Sequence, residues 1–269
     1  MAYDMARFQT PESTTDWLKR FAMRDFGGSP DVADAVSEIT NTYGQLVLRR
    51  KYETLNMRPF AFSVLHYEEA LAVLNEWDNL AQLAQDAHDS LTPSLRDAFW
   101  QLFVYPALAG KHVFEVYIAA ALGRLYKEQG RASTNTRSLQ AMKAFPEDSA
   151  AKDRYNLLFG GQWVPFVGHA RMGYEWIHES DPLPYGENVL PPLAWTRGKS
   201  AADPPAVGVA IPGSSVSSIY AQGPMRLRPI ERYAPEAEVA YIELFATGPS
   251  PTGWSPIAPT SASPSLSGL

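Results

Sequence analysis

Cysteine is absent from this chain of 269 residues, which excludes a disulfide framework, a thiolate metal site and a cysteine nucleophile. Long apolar runs are absent too: no window of about 18 uninterrupted apolar residues occurs, so the sequence predicts no membrane span. Basic residues number 23 against 29 acidic ones, and the formal net charge of −6 disfavours a nucleic-acid-binding protein. The opening residues hold no apolar core typical of a secretory signal, and the localisation stays open.

Proline is scarce in the first part of the chain. Only 6 of the 22 prolines lie in residues 1–150, and the other 16 lie in residues 151–269. Because proline removes a backbone donor and clashes inside helices, the first part can be helical and the second mostly cannot. We predict a mainly α protein, with a multi-helix bundle over 1–160, an aromatic, Pro/Gly-rich loop region over 161–200 and a short, incomplete β-sandwich-like segment over 201–269.

Cap residues predict where the helices begin, because a side-chain oxygen or a first-turn proline suits the unpaired N–H groups of a helix start. Such residues precede four predicted helices, at Ser13 with Asp16 three positions on, at Ser29 before Pro30, at Ser63, and at Thr92 before Pro93.

The longest predicted helix runs from Leu95 to about Gln129. Pro106 and Gly110 are expected to kink or split it. Two shorter helices are predicted over 136–145 and 147–159. Short strands are predicted over Ala206–Ile211, Val216–Tyr220 and Val239–Phe245, too few for a complete sandwich.

The loop region carries the candidate binding residues, which combine aromatic rings with a guanidinium and an imidazole. Rings of this kind stack on the apolar faces of sugars, and arginine forks onto a carboxylate. The alternative is that the rings only pin the loop to the bundle. The predicted substrate-binding residues are Tyr174, His169, Arg171, Trp176 and Trp163.

Other polar pairs are interpreted as solvent-facing charges on helices. Two His-x-x-Glu pairs could join in a metal site of a helical bundle, but their order is the reverse of the Glu-x-x-His pattern of di-iron proteins. We therefore assign neither a metal nor another cofactor. The pairs so interpreted are His66 with Glu69, His112 with Glu115, and Glu147 with Asp148.

Several segments, in one order along the chain, resemble the helical domain that follows the catalytic barrel in glycoside hydrolase family 115, the xylan alpha-1,2-glucuronidases. The matching segments are AYDMARFQTPESTTDWLKRFAMRDFG, TYGQLVLRRKYETL, HYEEALAVLNEWDNL, LRDAFWQLFVYPALAGKHVFEVYIAA, RYNLLFGGQWVPFVGHARMGYEWI and NVLPPL. A later stretch, RPIERYAPEAEVAYIELFATG, is similar to the entry of that family's C-terminal β-sandwich. Within the loop, only Gly173, Tyr174 and Trp176 match the family's pattern.

The resemblance implies a hydrolase that releases (4-O-methyl)glucuronic acid from glucuronoxylan without an organic cofactor. The family's catalytic carboxylates belong to a (β/α)8 barrel, and no alternating strand–helix pattern occurs here, so we assign no catalytic residue. The expectation is a fragment or truncated member that does not hydrolyse xylan side chains by itself and that packs on a catalytic barrel or forms a homodimer. The alternative is a free-standing helical interaction or scaffold protein without catalysis, whose strand edges pair with a partner.

Overall fold

A computed structural model describes residues 13–50, 62–168, 172, 188–197, 206–225 and 242–248. Within these ranges the protein is mainly α-helical, as predicted, with a small antiparallel sheet. In chain order the elements are α1 Thr14–Asp25, α2 Pro30–Arg49, α3 Glu69–Ser90, α4 Pro93–Phe99, a π-helical segment Trp100–Val104, α5 Tyr105–Glu128, α6 Thr134–Gly161, β1 Val207–Ala210 and β2 Glu243–Ala246.

The first two helices begin where the sequence predicts. The Ser13 Oγ accepts the Asp16 N–H at 3.1 Å and donates to the Asp16 carboxylate at 2.7 Å. Helix α1 ends just before Gly27, whose φ of +89° suits a residue without a Cβ. Pro30 opens α2 directly after Ser29.

The third helix begins later than predicted. Ser63 does not cap it; the Ser63 side chain accepts two backbone N–H groups within a turn, and α3 starts only at Glu69. Tyr67 and Glu68 adopt the left-handed conformation, with φ of +59° and +52°, which no continuous helix permits.

The predicted break in the long helix occurs at Pro106 but not at Gly110. The π-helical segment ends at Val104, two residues before Pro106. Proline has no N–H to donate to the preceding helical turn, and its ring crowds that turn. The wider π-helical turn accommodates both effects. The helix continues through Gly110, and the Trp77 ring packs directly against this residue: a Cβ there would come within 2.1 Å of that ring. Gly110 therefore provides space for packing.

The prediction of two short helices after residue 136 is wrong. Helix α6 runs through Pro146 and loses its helical dihedral angles only at Leu158, Phe159 and Gly160. Pro146 has no N–H for the carbonyl oxygen four residues before it. Because Pro146 lies on the exposed side of the helix, that carbonyl can turn towards water.

The core is built around α5, which packs against α3 and α6, while α2 packs against α1 and α3. The fully buried Trp77 ring stacks on Phe114 with centroids 5.4 Å apart and meets the edge of Tyr43 at 5.9 Å. None of the helices in the described ranges combines the length and the hydropathy that crossing a membrane would need.

Strands β1 and β2 pair antiparallel, with Gly208 opposite Phe245. The prediction of a second strand over Val216–Tyr220 is wrong: of these residues only Ser217 pairs, in an isolated bridge with Ala210. The buried Ser217 hydroxyl instead donates to the carbonyl of Gln129 at 2.7 Å, and the chain turns directly afterwards.

The sheet is fastened to the turn between α5 and α6 by Arg131. Its side chain is 9% exposed, forms an ion pair with Glu243 and lies over the rings of Tyr126 and Phe245 at 4.4 and 4.7 Å. Its Nε also donates to the Gln129 side-chain oxygen at 2.6 Å. Charge and ring contacts thus join the β segment to the helices.

Candidate functional site

The predicted binding residues divide into one that the structure describes and four that it does not. Trp163 lies in the turn that follows α6 and is half-buried. His169, Arg171, Tyr174 and Trp176 lie outside the described residues.

Trp163 belongs to a chain of rings that runs from the bundle to the start of the loop. Its ring meets the edge of Phe166 at 5.6 Å, and Phe166 stacks on Tyr155 of α6 at 6.1 Å. Tyr155 in turn packs on Tyr105 of α5 at 4.7 Å. The Trp163 Nε1 is buried and has no hydrogen-bond partner in the described part of the chain.

The beginning of the loop is fastened to α6 by one asparagine. The Asn156 side-chain N–H donates to the Val167 carbonyl at 2.9 Å, and the Val167 N–H donates to the Asn156 side-chain oxygen at 3.0 Å. This reciprocal pair fixes the backbone two residues before His169. The two bonds resemble those between paired strands, and they satisfy both the N–H and the carbonyl of Val167.

A second anchor lies inside the loop, at the fully buried Met172. Its N–H donates to the Asn188 side-chain oxygen at 3.2 Å, and its carbonyl accepts the Val189 N–H at 3.0 Å. The Asn188 side-chain N–H donates to the carboxylate of Asp148 at 2.8 Å. Residues 172 and 188 are thereby held together on α6, and Tyr174 and Trp176 lie in the sequence between these fixed points.

The prediction that Glu147 and Asp148 both face solvent is wrong for Asp148. Asp148 is fully buried, and it has that position because residues 172 and 188 cover this side of α6. No local sequence signal distinguishes it from Glu147, since both follow Pro146 in a polar run. The residue that orients the loop is therefore one that sequence reasoning missed.

Towards the end of the loop region, residues 188–197 run along α6 in the opposite direction to it. The Ser138 hydroxyl donates to the Ala194 carbonyl at 2.5 Å. The side chain of Asn135 donates to the Thr196 carbonyl at 3.0 Å and accepts the Thr196 N–H at 2.9 Å. The segment, which we call the strap, is thus held on α6 by hydrogen bonds between its backbone at Ala194 and Thr196 and side chains of the helix.

His112 also differs from the solvent-facing position predicted for it. It is buried beneath α6, and its Nδ1 lies 3.6 Å from a carboxylate oxygen of Glu147, too far for a hydrogen bond. Burial lowers the pKa of His112 below its ordinary value; the charges of Glu147 and Asp148 oppose this effect, Lys111 adds to it, and Glu115 opposes it weakly. Burial therefore favours the neutral imidazole next to the loop anchor.

The two His-x-x-Glu pairs are not brought together. His66 lies in the turn before α3, whereas His112 lies within α5. In the described ranges, no three residues of the metal-binding types form a group that could hold an ion.

Comparison with solved structures gives distant similarities, among them one to a glycoside hydrolase. No protein-family model matches the chain, and no curated protein matches it. The solved structure is described as "A novel family GH115 4-O-Methyl-alpha-glucuronidase, BtGH115A, with specificity for decorated arabinogalactans". The TM-score is 0.46 and the identity 16%, over 61% of this chain and 21% of that chain. This chain therefore spans about a fifth of the length of that protein.

Proposed function

We propose that the chain is the non-catalytic helical part of a xylan alpha-1,2-glucuronidase of the family 115 type. In this role it binds glucuronoxylan-type carbohydrate through the loop region 161–200 and packs on a catalytic barrel. The first support is the series of sequence segments that resemble the family in one order along nearly the whole chain.

One structural observation carries the proposal. The described residues that flank the candidate binding residues in the sequence are tied to α6, at Asn156 and again through Asp148, Asn188 and Met172. Binding groups held between fixed points lose less conformational entropy when a ligand binds.

Each loop residue has a proposed task that follows from its chemistry. Arg171 pairs with the glucuronic acid carboxylate, because a guanidinium can form two parallel hydrogen bonds to it. The phenol of Tyr174 and the imidazole of His169 hydrogen-bond to sugar hydroxyls. Trp163 and Trp176 offer rings to the apolar face of a sugar.

Affinity electrophoresis in glucuronoxylan tests this function. We expect the chain to migrate more slowly in gels that contain glucuronoxylan than in gels that contain unsubstituted xylan. Arg171→Gln and Tyr174→Phe should each reduce this retardation, whereas the control Arg24→Gln changes an exposed arginine of α1 and should leave it intact. Equal migration of all variants in both gels would contradict the assignment of the loop.

We further propose that the isolated chain binds without cleaving. The measurement is the release of glucuronic acid from glucuronoxylan by the purified chain, compared with a buffer blank. Release at the level of the blank is expected. Release above it would place catalytic carboxylates within this chain and overturn the non-catalytic role.

A second candidate function, a free-standing helical interaction or scaffold protein, is favoured by an apolar patch near the end of α6. Its four side chains are 47–68% exposed, and patches of this kind mark interaction surfaces. The patch comprises Leu157, Phe159, Val164 and Phe166. Light scattering on the eluting chain tests the patch: a concentration-dependent dimer that Phe166→Ser abolishes assigns self-association to the patch, and a monomer at all concentrations excludes self-association.

A further inference from the structure

An open cavity of about 610 Å³ lies at the turn before α3, apart from the aromatic loop. Four side chains line it: Ser63, His66, Tyr67 and Glu69. A volume of this size falls within the range of small-molecule pockets, about 300–1,000 Å³.

The turn that forms the pocket is fixed by hydrogen bonds of its own. The Ser63 Oγ accepts the N–H groups of Leu65 and His66 at 3.3 and 3.0 Å, and the Ser63 N–H donates to the carboxylate of Glu69 at 2.7 Å. The Ala70 N–H donates to the Ser63 carbonyl at 3.0 Å. The backbone of the turn and the side chains of Ser63 and Glu69 are therefore positioned before any ligand arrives.

The β segment contacts the turn that carries the pocket residues. The Gly213 N–H donates to the carbonyl of Leu65 at 2.7 Å, and Gly213 has a φ of +81°. A Cβ at this position would lie 3.2 Å from the Nδ1 of His66. The absence of a side chain at Gly213 lets the imidazole approach the backbone of the β segment.

The pocket retains unused hydrogen-bonding capacity. Neither ring nitrogen of His66 has a hydrogen-bond partner among the described residues, and the second carboxylate oxygen of Glu69 has none either. The Ser63 Oγ accepts two hydrogen bonds, and its own O–H donates none among the described residues. The ring of Tyr67 is 63% exposed beside these groups.

We propose that this pocket binds a neutral sugar unit. The carboxylate of Glu69 and the imidazole of His66 would hold neighbouring hydroxyls, and the Tyr67 ring would cover the apolar face of the sugar. The charges of Glu68 and Glu69 repel an anionic sugar, which separates this pocket from the loop, where Arg171 selects a carboxylate. Only two residues of metal-binding type line the cavity, so a cation has too few ligands.

The choice of xylose as the sugar rests on the proposed function, whereas the pocket rests on its own geometry. The probe is xylotriose, added to the full chain with ¹³C-labelled histidine rings. The chain has five histidines, and His66→Ala identifies the reporting signal. We expect a saturable shift of the His66 signal with a Kd on the order of 1 mM, as suits a small ligand in an open site.

Two neighbouring glutamates give a matched pair of variants. Glu69→Gln keeps an oxygen for the Ser63 N–H but loses the charge, and it should weaken xylotriose binding about tenfold. Glu68→Gln makes the same change one position away, outside the lining, and should change the affinity less than about twofold. Equal effects of the two variants would contradict the assignment, as would the absence of a saturable shift in the unmodified chain.

Two further measurements distinguish binding in the pocket from binding by the loop. Glucuronic acid should not shift the His66 signal, and Arg171→Gln should leave xylotriose binding intact. If xylotriose saturates the His66 signal while the loop variants do not affect glucuronoxylan binding, the pocket stands and the proposed function of the loop fails. If glucuronic acid moves the His66 signal as strongly as xylotriose does, the preference for a neutral sugar is wrong.

Discussion

His112 couples protonation to the stability of the bundle. Burial lowers its folded-state pKa below the ordinary value of 6.5, so the unfolded chain binds a proton more readily than the folded one. The stabilising contribution is therefore fully present above about pH 6.5 and is lost as the pH falls towards the folded-state pKa. The neighbouring carboxylates of Glu147 and Asp148 weaken this dependence without reversing it.

His112→Gln removes this titration. Between about pH 6.5 and pH 5 the free energy of unfolding of the unmodified chain should fall more steeply than that of the variant, by at most about 1.4 kcal/mol per pH unit. Urea unfolding at several pH values measures the two slopes. His66→Gln, at an exposed position, serves as control; parallel slopes for the unmodified chain and His112→Gln would contradict the account.

Asp148 makes the most specific contribution to the loop anchor. Asp148→Ala leaves the side-chain N–H of Asn188 without its acceptor, and we expect a loss of about 2 kcal/mol in the free energy of unfolding. Amide exchange at Met172 and Val189 should accelerate at the same time, because both amides belong to this anchor. Asp153→Ala, at a position of α6 whose side chain is 67% exposed, is the matched control. Unchanged exchange at Met172 in Asp148→Ala would show that the loop is held by other contacts.

Replacing glycine by alanine is expected to change stability in opposite directions in two of the helices. Gly110 lies under the Trp77 ring, and Gly110→Ala forces a methyl group into that ring, at a cost of about 2–3 kcal/mol. Gly44 of α2 has no atom within 4 Å of an added Cβ, and Gly44→Ala should stabilise the protein by about 0.5–1 kcal/mol. Thermal unfolding of the two variants gives shifts of opposite sign. A Gly110→Ala variant as stable as the unmodified chain would contradict the packing.

The sequence predicted correctly those helix starts that depend only on residues close by in the chain. Ser13 and Pro30 begin helices because a cap oxygen and a first-turn proline act within four residues of the chain. The predictions at Gly110 and Pro146 were wrong because their outcome depends on other parts of the molecule. At Gly110 it depends on a tryptophan from α3, and at Pro146 on exposure to water.

The candidate site was only partly accessible to prediction for the same reason. Aromatic and charged residues marked the loop region as a binding segment, and Trp163 does lie at its start, packed on Phe166. The residues that hold the loop, Asp148 and Asn188, are 40 positions apart in the sequence. Their pairing requires the strap to run back along α6, which no periodicity in the sequence indicates.

At the scale of the whole molecule, Arg131 joins the β segment to the bundle. Arg131→Ala leaves Glu243 without its ion-pair partner and the rings of Tyr126 and Phe245 without the guanidinium between them. We expect a loss of about 3 kcal/mol and faster proteolysis of the β segment. Limited proteolysis followed by mass spectrometry locates the cuts. Arg24→Ala, which removes an exposed pair, should leave the cutting pattern unchanged.

We propose that the loop on α6 recognises the acidic branch of a xylan. The decisive measurement is calorimetric titration of the full chain with xylotetraose that carries one 4-O-methylglucuronic acid, and with unbranched xylotetraose. We expect tighter binding of the branched sugar and a loss of about tenfold in its affinity in Arg171→Gln, with the unbranched sugar unaffected. Equal affinities for the two sugars in the unmodified chain would mean that the loop does not recognise the branch.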